Sequence, residues 1–365
     1  MQVVEFSAGT LRFLETPPPR APDDGFVWIY LQRDELESAL PMLQQAAQAL
    51  GGSPLLDLHL KDLQNRSHPS SYDYTSIYDL VIFRRLATDE EVRVEVGDTV
   101  APPDTTLAAF SRIRTRAVGF VVFDRLLVTV HPAGCEAARS FIQRFLGDAV
   151  QAEGLTAVSR NRLPASPSDL MLRMLNMMVD GYLELRKKLG IELDRWQQEL
   201  MAAGSREADW SALMSARNAL HALEHLCEEQ NDAMQEWLDT QREQPSPSMG
   251  QADRDGLLAR GRDVVEHIQR VVQHVRRMEA GAESAVQIHF SAQGNRTNEI
   301  MRTLTSLTAI FLPLNLIAAI FGMNFEVLPL TQASDGFWWT MAAMAVIAVL
   351  LGAVFWRKHY LARTR

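Results

Sequence analysis

Near the C-terminal end of the chain, amide, hydroxyl and apolar side chains repeat at helical spacing. Asn298, Met301, Leu304 or Thr305, Thr308, Leu312 and Asn315 step by three and four, so on a helix they share one stripe. Such a stripe reads in two ways. It is a helix-packing face with Ser and Thr as hydrogen-bond glue, or it lines a water-filled path for polar cargo. A second cluster has metal-binding chemistry. His221 and His225 lie four apart, with Glu224, Cys227 and Glu228 close by; imidazoles at that spacing can share a zinc ion, and equally fit a solvated helix face. His267, His274 and His289 read as solvated or packed. No HExxH, Ser-His-Asp arrangement, Gly-rich phosphate loop or carboxylate pair at identifiable spacing occurs, so nothing supports catalysis. The net charge of −9 argues against nucleic acid, which needs clustered Lys and Arg.

The elements that must position the stripe are apolar. LTSLTAIFLPLNLIAAIFGM starts at Leu304 and FWWTMAAMAVIAVLLGAVFW at Phe337. Each is about 20 residues, enough to cross a hydrocarbon core of about 30 Å as a helix. Neither holds a charge. Phe337, Trp338, Trp339 and Trp356 fit interfacial belts. The second run suits lipid all round. The first carries Thr305, Ser306, Thr308 and Asn315, and Pro313 interrupts its backbone ladder. Arg296 and Arg302 precede the first span, and Arg357, Lys358, Arg363 and Arg365 follow the second. The loop between has no Lys or Arg and carries Glu326 and Asp335. Both termini are therefore expected in the cytoplasm, with the loop outside and the lipid bilayer of the cytoplasmic (inner) membrane as a partner. Two spans cannot enclose a pore, so a pore requires an oligomer.

Upstream, Val264, Ile268, Val271, Val275, Met278, Ala282 and Ala285 form a seam of fours and threes. It fits a coiled coil or the inner face of a bundle. A helix from about Gly256 to Phe321 would be roughly 100 Å long, with Gly281 and Gly294 as its weak points. The first 150 or so residues read as mixed α/β. FVWIYL, YDLVIFRRL and the pair in TRAVGFVVFDRLLVTVHP, joined at Asp124-Arg125, are strands. RDELESALPMLQQAAQAL and CEAARSFIQRFLGDAV are helices. TAVSRNRLPASPSD is a linker in which Ser168 or Asp169 can cap the next helix. Helical patterns over Leu170–Met201 and Trp210–Leu238, joined near Gly204, make an antiparallel hairpin. TQREQPSPSMGQADRD is an exposed loop. Cys135 and Cys227 read as free thiols in a reducing cytosol, and MQVVEFSAGTLRFLE is not a signal peptide.

The expected fold class is an α+β cytosolic domain followed by long helices and two C-terminal transmembrane helices. The expected layout is an α/β domain over 1–155, a helical hairpin and loop over 156–255, and a stalk helix over 256–303. Then come a first span over 304–323, an external loop over 324–336, a second span over 337–356 and a basic tail over 357–365.

The run NEIMRTLTSLTAIFLPLNLIAAIFGMNFE, residues 298 to 326, resembles the CorA family of divalent-cation channels. It has the helical approach with Asn and Met, the Thr- and Pro-bearing first span and the Gly-Met-Asn signature at its outer end. The N-terminal third matches more loosely, through the order of its elements and LKDLQNRSHPSSYDYTSIYDLVIFR. The resemblance implies a funnel with a stalk helix, a homopentamer whose first spans line the pore, and no enzyme activity. It implies that Asn298, Met301, Leu304, Thr308, Leu312 and Asn315 face the pore, and that Gly322, Met323 and Asn324 form its outer mouth. Phe321 stands where magnesium members usually have Tyr, and Asn315 where they often have Thr. Met323 and Phe325-Glu326 favour magnesium over the related zinc-transporting ZntB branch, which varies the middle residue and lacks Phe-Glu.

Physical reasons accompany these roles. Mg2+ sheds its inner water reluctantly. Amide oxygens of Asn324 suit its hydration shell, and conduction needs binding weak enough to leave. Gly322 lets the backbone turn at the helix end, and Met323 packs the loop. Met301, Leu304 and Leu312 make an apolar gate, and Asn298, Thr308 and Asn315 make polar rings. Glu326 and Asp335 raise the local cation concentration. No cofactor is expected. The transported ion is Mg2+, with Zn2+, Co2+ or Ni2+ as alternatives. A proton-coupled zinc transporter and a non-conducting scaffold or regulator of the same fold are the competing readings.

Overall fold

The computed structural model describes residues 1–7, 10–87, 91, 110, 113–132, 135, 163–201, 210–244, 249–323 and 335–357. It divides into two compact units, Met1–Glu283 and Ser284–Arg365.

The first unit is built on a seven-stranded sheet of order β2-β1-β3-β7-β6-β5-β4. Its strands are β1 Gln2–Ser7, β2 Thr10–Leu14, β3 Gly25–Gln32, β4 Ser71–Tyr74, β5 Asp79–Leu86, β6 Thr115–Val122 and β7 Leu126–His131. The β3–β7 pair is parallel and the remaining pairs are antiparallel. The central strands are continuous apolar runs because both faces are covered. One face meets α1 (Leu36–Ala46) and α2 (Asp57–Gln64). Val27, Ile29 and Leu31 pack there with Leu43, Leu63, Ile82 and Val128. α2 approaches so closely that a Cβ on Gly119 would lie 2.2 Å from Leu63, so the strand carries glycine there.

The other face meets α3 (Pro167–Met201) and α4 (Trp210–Glu243). Buried hydrogen bonds fix that contact. The Tyr182 hydroxyl donates to the Arg84 carbonyl at 2.8 Å, and Gln230 Nε2 donates to the Tyr182 oxygen at 3.0 Å. α3 starts one turn ahead of the expected caps. Ser166 Oγ accepts the Asp169 N–H at 3.1 Å with Pro167 as the first helical residue, the arrangement favoured at a helix N-terminus. Asp169 is instead a buried anchor, held by Arg173 at 3.0 Å and by Arg260 of the next helix at 2.9 Å.

That next helix, α5, runs unbroken from Gln251 to Phe321, through Gly281, Gly294 and Pro313. It begins ahead of the expected Gly256, so the polar loop after α4 is shorter than its composition indicates. Val264, Ile268, Val271, Val275 and Ala282 are buried within the single chain, and Met278 is half-buried. The seam is therefore the inner face of an intrachain bundle. Polar contacts pin it to α3. His267 Nδ1 lies 2.9 Å from Asn176 Oδ1, and Gln197 donates to the Gly281 carbonyl at 3.1 Å. His274 lies beside Arg277, and His289 is half-buried. The helix expected over 135–150 lies outside the described residues except for Cys135. Both cysteines are free and buried.

The C-terminal end of α4 docks on β4 and β5 through a half-buried carboxylate. Tyr72 donates to Asp79 Oδ1 at 3.2 Å and Gln241 to Oδ2 at 2.9 Å. Burial pushes the Asp79 carboxyl up to about 6, against those hydrogen bonds. A carboxyl raised in the folded state stabilises the fold fully below its unfolded value near 4, and that contribution is lost as pH rises through about 6. Amide exchange at the end of α4, corrected for intrinsic rates, is therefore expected to be slower at about pH 5 than at pH 7.5. The change is bounded by a two-unit shift, on the order of 3 kcal/mol. Asp79→Asn is expected to flatten that dependence, and an unaltered pH profile in the variant would refute the assignment.

The second unit holds the distal part of α5 and α6 (Gly336–Arg357). Both helices are long and apolar enough to cross a membrane. Only 6% of the most apolar window of α5 is buried, and 0% of that of α6. A core helix of a water-soluble protein would be mostly covered. Trp338, Trp339 and Trp356 are each about 70% exposed, where an interfacial belt places them.

Candidate functional site

The faces of α5 settle which residues have partners within the chain. Ser306 is buried, and Ala309, Ile310, Pro313, Leu314, Ile317 and Phe321 are half-buried. On α6 the half-buried positions include Thr340, Met344, Ile347, Leu351 and Phe355, which also share one face. This reciprocal cover is what packing of the two spans on one another produces. At about 100° per residue, the stripe from Asn298 to Asn315 lies roughly 150° away from the α6-facing stripe. Asn298, Met301, Leu304, Thr305, Thr308, Leu312 and Asn315 are all exposed, Leu312 at 69%. The structure thus brings the expected stripe together on one face and leaves that face exposed among the described residues.

The hydroxyls on this stripe are oriented. Thr305 Oγ1 donates to the Met301 carbonyl at 2.8 Å and Thr308 Oγ1 to the Leu304 carbonyl at 2.9 Å. Each hydroxyl proton is spent on the helix, so the oxygen presents acceptor lone pairs outward. Acceptors suit a cation or the water around it. Pro313 has no N–H for the Ala309 carbonyl, yet the helix continues to Phe321.

At the outer end, the Gly322 N–H bonds the Ala318 and Ala319 carbonyls at 3.0 and 3.2 Å, and the Met323 N–H bonds the Ile320 carbonyl at 3.3 Å. The bonds to Ala319 and Ile320 span three residues and tighten the last turn. The expected turn at Gly322 is not a left-handed cap, since Gly52 alone among the described glycines has a positive φ. Instead the close approach matters, because a Cβ on Gly322 would lie 3.2 Å from the Ala318 oxygen. Met323 is half exposed. Asn324 and Glu326 lie outside the described residues. Asp335 precedes α6, and its carbonyl accepts the Trp339 N–H at 3.1 Å, so it stands at the N-cap of that helix.

The histidine cluster is rearranged relative to its sequence neighbours. His221 and His225 are exposed, and His225 pairs with Glu229 at 3.2 Å. Cys227 faces the core, where burial and then the charge of Glu228 push its thiol up to about 12. It does not join them. Glu279 of α5 comes to His221 and Glu224 instead. Nothing in local spacing marks Glu279, because its neighbours belong to another helix.

Residues 23–358 match the family model described as CorA-like Mg2+ transporter protein. The cobalt/magnesium transport protein CorA of Thermotoga maritima is 27% identical over 192 residues, 53% of this chain and 52% of that protein. The chain thus spans about half the length of that relative. The protein of the same name from Methanocaldococcus jannaschii is 24% identical over 255 residues, 68% of this chain and 73% of that one. The complete structure of the CorA magnesium transporter from Methanocaldococcus jannaschii superposes with a TM-score of 0.72 at 19% identity, covering 98% of this chain and 97% of that one. The ZntB cytoplasmic domain from Vibrio parahaemolyticus gives 0.51 at 12% identity, covering 81% and 98%. The family match runs without interruption from the first central strand of the sheet through both membrane-length helices, and the chain therefore belongs to the CorA-like Mg2+ transporter family.

Proposed function

We propose that the chain is one subunit of an oligomeric channel that passes hydrated Mg2+ across the cytoplasmic membrane. Family membership places it among ion transporters rather than enzymes. The observation that carries the reading is the exposed Asn298–Asn315 stripe, turned away from α6 on a helix of membrane length. Polar groups at that depth require protein or water. Two spans per chain require further copies to enclose a path, and a homopentamer fits the resemblance. Met301, Leu304 and Leu312 then form apolar rings, with the polar ring of Thr308 among them and those of Asn298 and Asn315 at either end. Gly322, Met323 and Asn324 form the mouth, with Glu326 and Asp335 drawing cations toward it. Both termini lie in the cytoplasm by the distribution of Lys and Arg.

Magnesium is favoured by the signature residues and by the names of the relatives. A second reading, transport of zinc, is supported by the fold shared with the ZntB domain and by the histidines of α4. Purified protein in vesicles with an internal dye tests both. Mg2+ entry down its gradient is the expected result. Entry of Zn2+ without Mg2+ would replace the first reading by the second, and no dication entry would leave a scaffold.

A further inference from the structure

We propose that His221, Glu224 and Glu279 bind a transition-metal dication that bridges α4 and α5. One ligand atom from each lies within 4.8 Å of the other two. A tetrahedral ion with bonds of about 2.0–2.1 Å needs ligand separations of about 3.4 Å. Closure therefore asks for movements of roughly 1–1.5 Å. His221 is 75% exposed and has the freedom to make them.

Glu224 is the fixed point. Its side chain is 15% exposed, and Oε1 accepts a hydrogen bond from Arg276 Nε at 2.6 Å. Its other oxygen, Oε2, lies 3.9 Å from His221 Nδ1. A carboxylate held through one oxygen and open through the other is how an outer hydrogen bond orients a metal ligand. Arg276 also pairs with Glu228, so its charge is shared. Glu224, Glu228 and Glu279 against Arg276 leave a formal balance of −2, opposite to a dication. Solvent supplies the fourth position.

The ligand set selects the ion class. Mg2+ prefers an octahedron of oxygens and keeps its water. An imidazole with two carboxylates suits Zn2+, Co2+ or Ni2+. The three residues come from two helices, so the bound ion staples the hairpin to the helix that continues into the first span. The site stands apart from the stripe and does not rest on the transport reading.

Calorimetric titration of tag-free, full-length protein with Zn2+ tests it. One zinc per chain is expected, weakened tenfold or more in His221→Ala and in Glu279→Gln and unchanged in His225→Ala. Mg2+ in excess is expected not to displace it. Co2+ is expected to give visible absorption bands that both ligand variants lose. His221 is exposed, so its variant keeps the fold and decides the matter if Glu279→Gln disturbs assembly. Equal zinc stoichiometry and affinity in wild type and His221→Ala would overturn the site, as would displacement by equimolar Mg2+ or loss in His225→Ala alone.

Discussion

Replacing Asn324 with Ala is expected to cut Mg2+ flux about a hundredfold while leaving the assembly intact. On the proposed reading, one Asn per subunit stands at the outer end of the first span. Each amide oxygen would then accept a hydrogen bond from the hydration shell, holding the ion without stripping its inner water. Such a bond contributes about 1 kcal/mol net. The loss is repeated in every subunit, and about 1.4 kcal/mol is tenfold in occupancy. Asn324→Asp is expected to fail differently. A carboxylate ring binds more tightly and slows exit, so flux saturates at lower Mg2+ with a lower ceiling. Vesicle flux against external Mg2+ separates the two variants. Undiminished flux in Asn324→Ala would remove Asn324 from the path.

Much of the frame behind that residue is legible in the chain. The central strands announce themselves because burial on both faces demands unbroken apolar runs, as in FVWIYL and LLVTVH. The edges are quieter. β2 is exposed along most of its length, and β4 is four residues, SYDY, with one buried side chain. Neither needs an apolar signature, so they are evident from pairing rather than composition. α2 shows the same limit, since DLHLKDLQ buries His59 and two leucines amid charge. The α5 seam is legible as a face, but its partner is not. Spacing is identical whether the neighbour is a second copy or the chain's own α3 and α4. Long-range partners set what spacing cannot, as when Glu279 replaces Cys227 beside His221.

The stripe on the first span presents that ambiguity in its sharpest form, and the structure narrows it. The covered face of the span carries Ser306, Ile310, Leu314 and Ile317, and the stripe lies on the opposite face, exposed among the described residues. Lipid does not suit Asn298 or Asn315. What remains is water, or the same face of neighbouring copies. Threonine hydroxyls already donating to Met301 and Leu304 turn acceptor lone pairs outward, and either water or the Asn298 and Asn315 amides of a neighbouring copy can donate to them.

Leu312→Asn distinguishes these two environments and is expected to raise resting Mg2+ flux about tenfold or more. In the proposed apolar rings of Met301, Leu304 and Leu312, a constriction expels water and a hydrated ion cannot follow. An amide at Leu312 restores donors and acceptors midway between Thr308 and Asn315. Lowering the barrier by about 1.4 kcal/mol gives the tenfold change. The same substitution at Ile317, on the face toward α6, places an amide between the spans. It is expected to lower the yield of assembled protein without a leak, since that amide meets packed apolar groups. Were the stripe a packing face between copies, Leu312→Asn would behave like Ile317→Asn, with impaired assembly and unchanged resting flux. A leak from an intact assembly in Leu312→Asn, absent from Ile317→Asn, assigns the water to one face of α5 and the protein to the other.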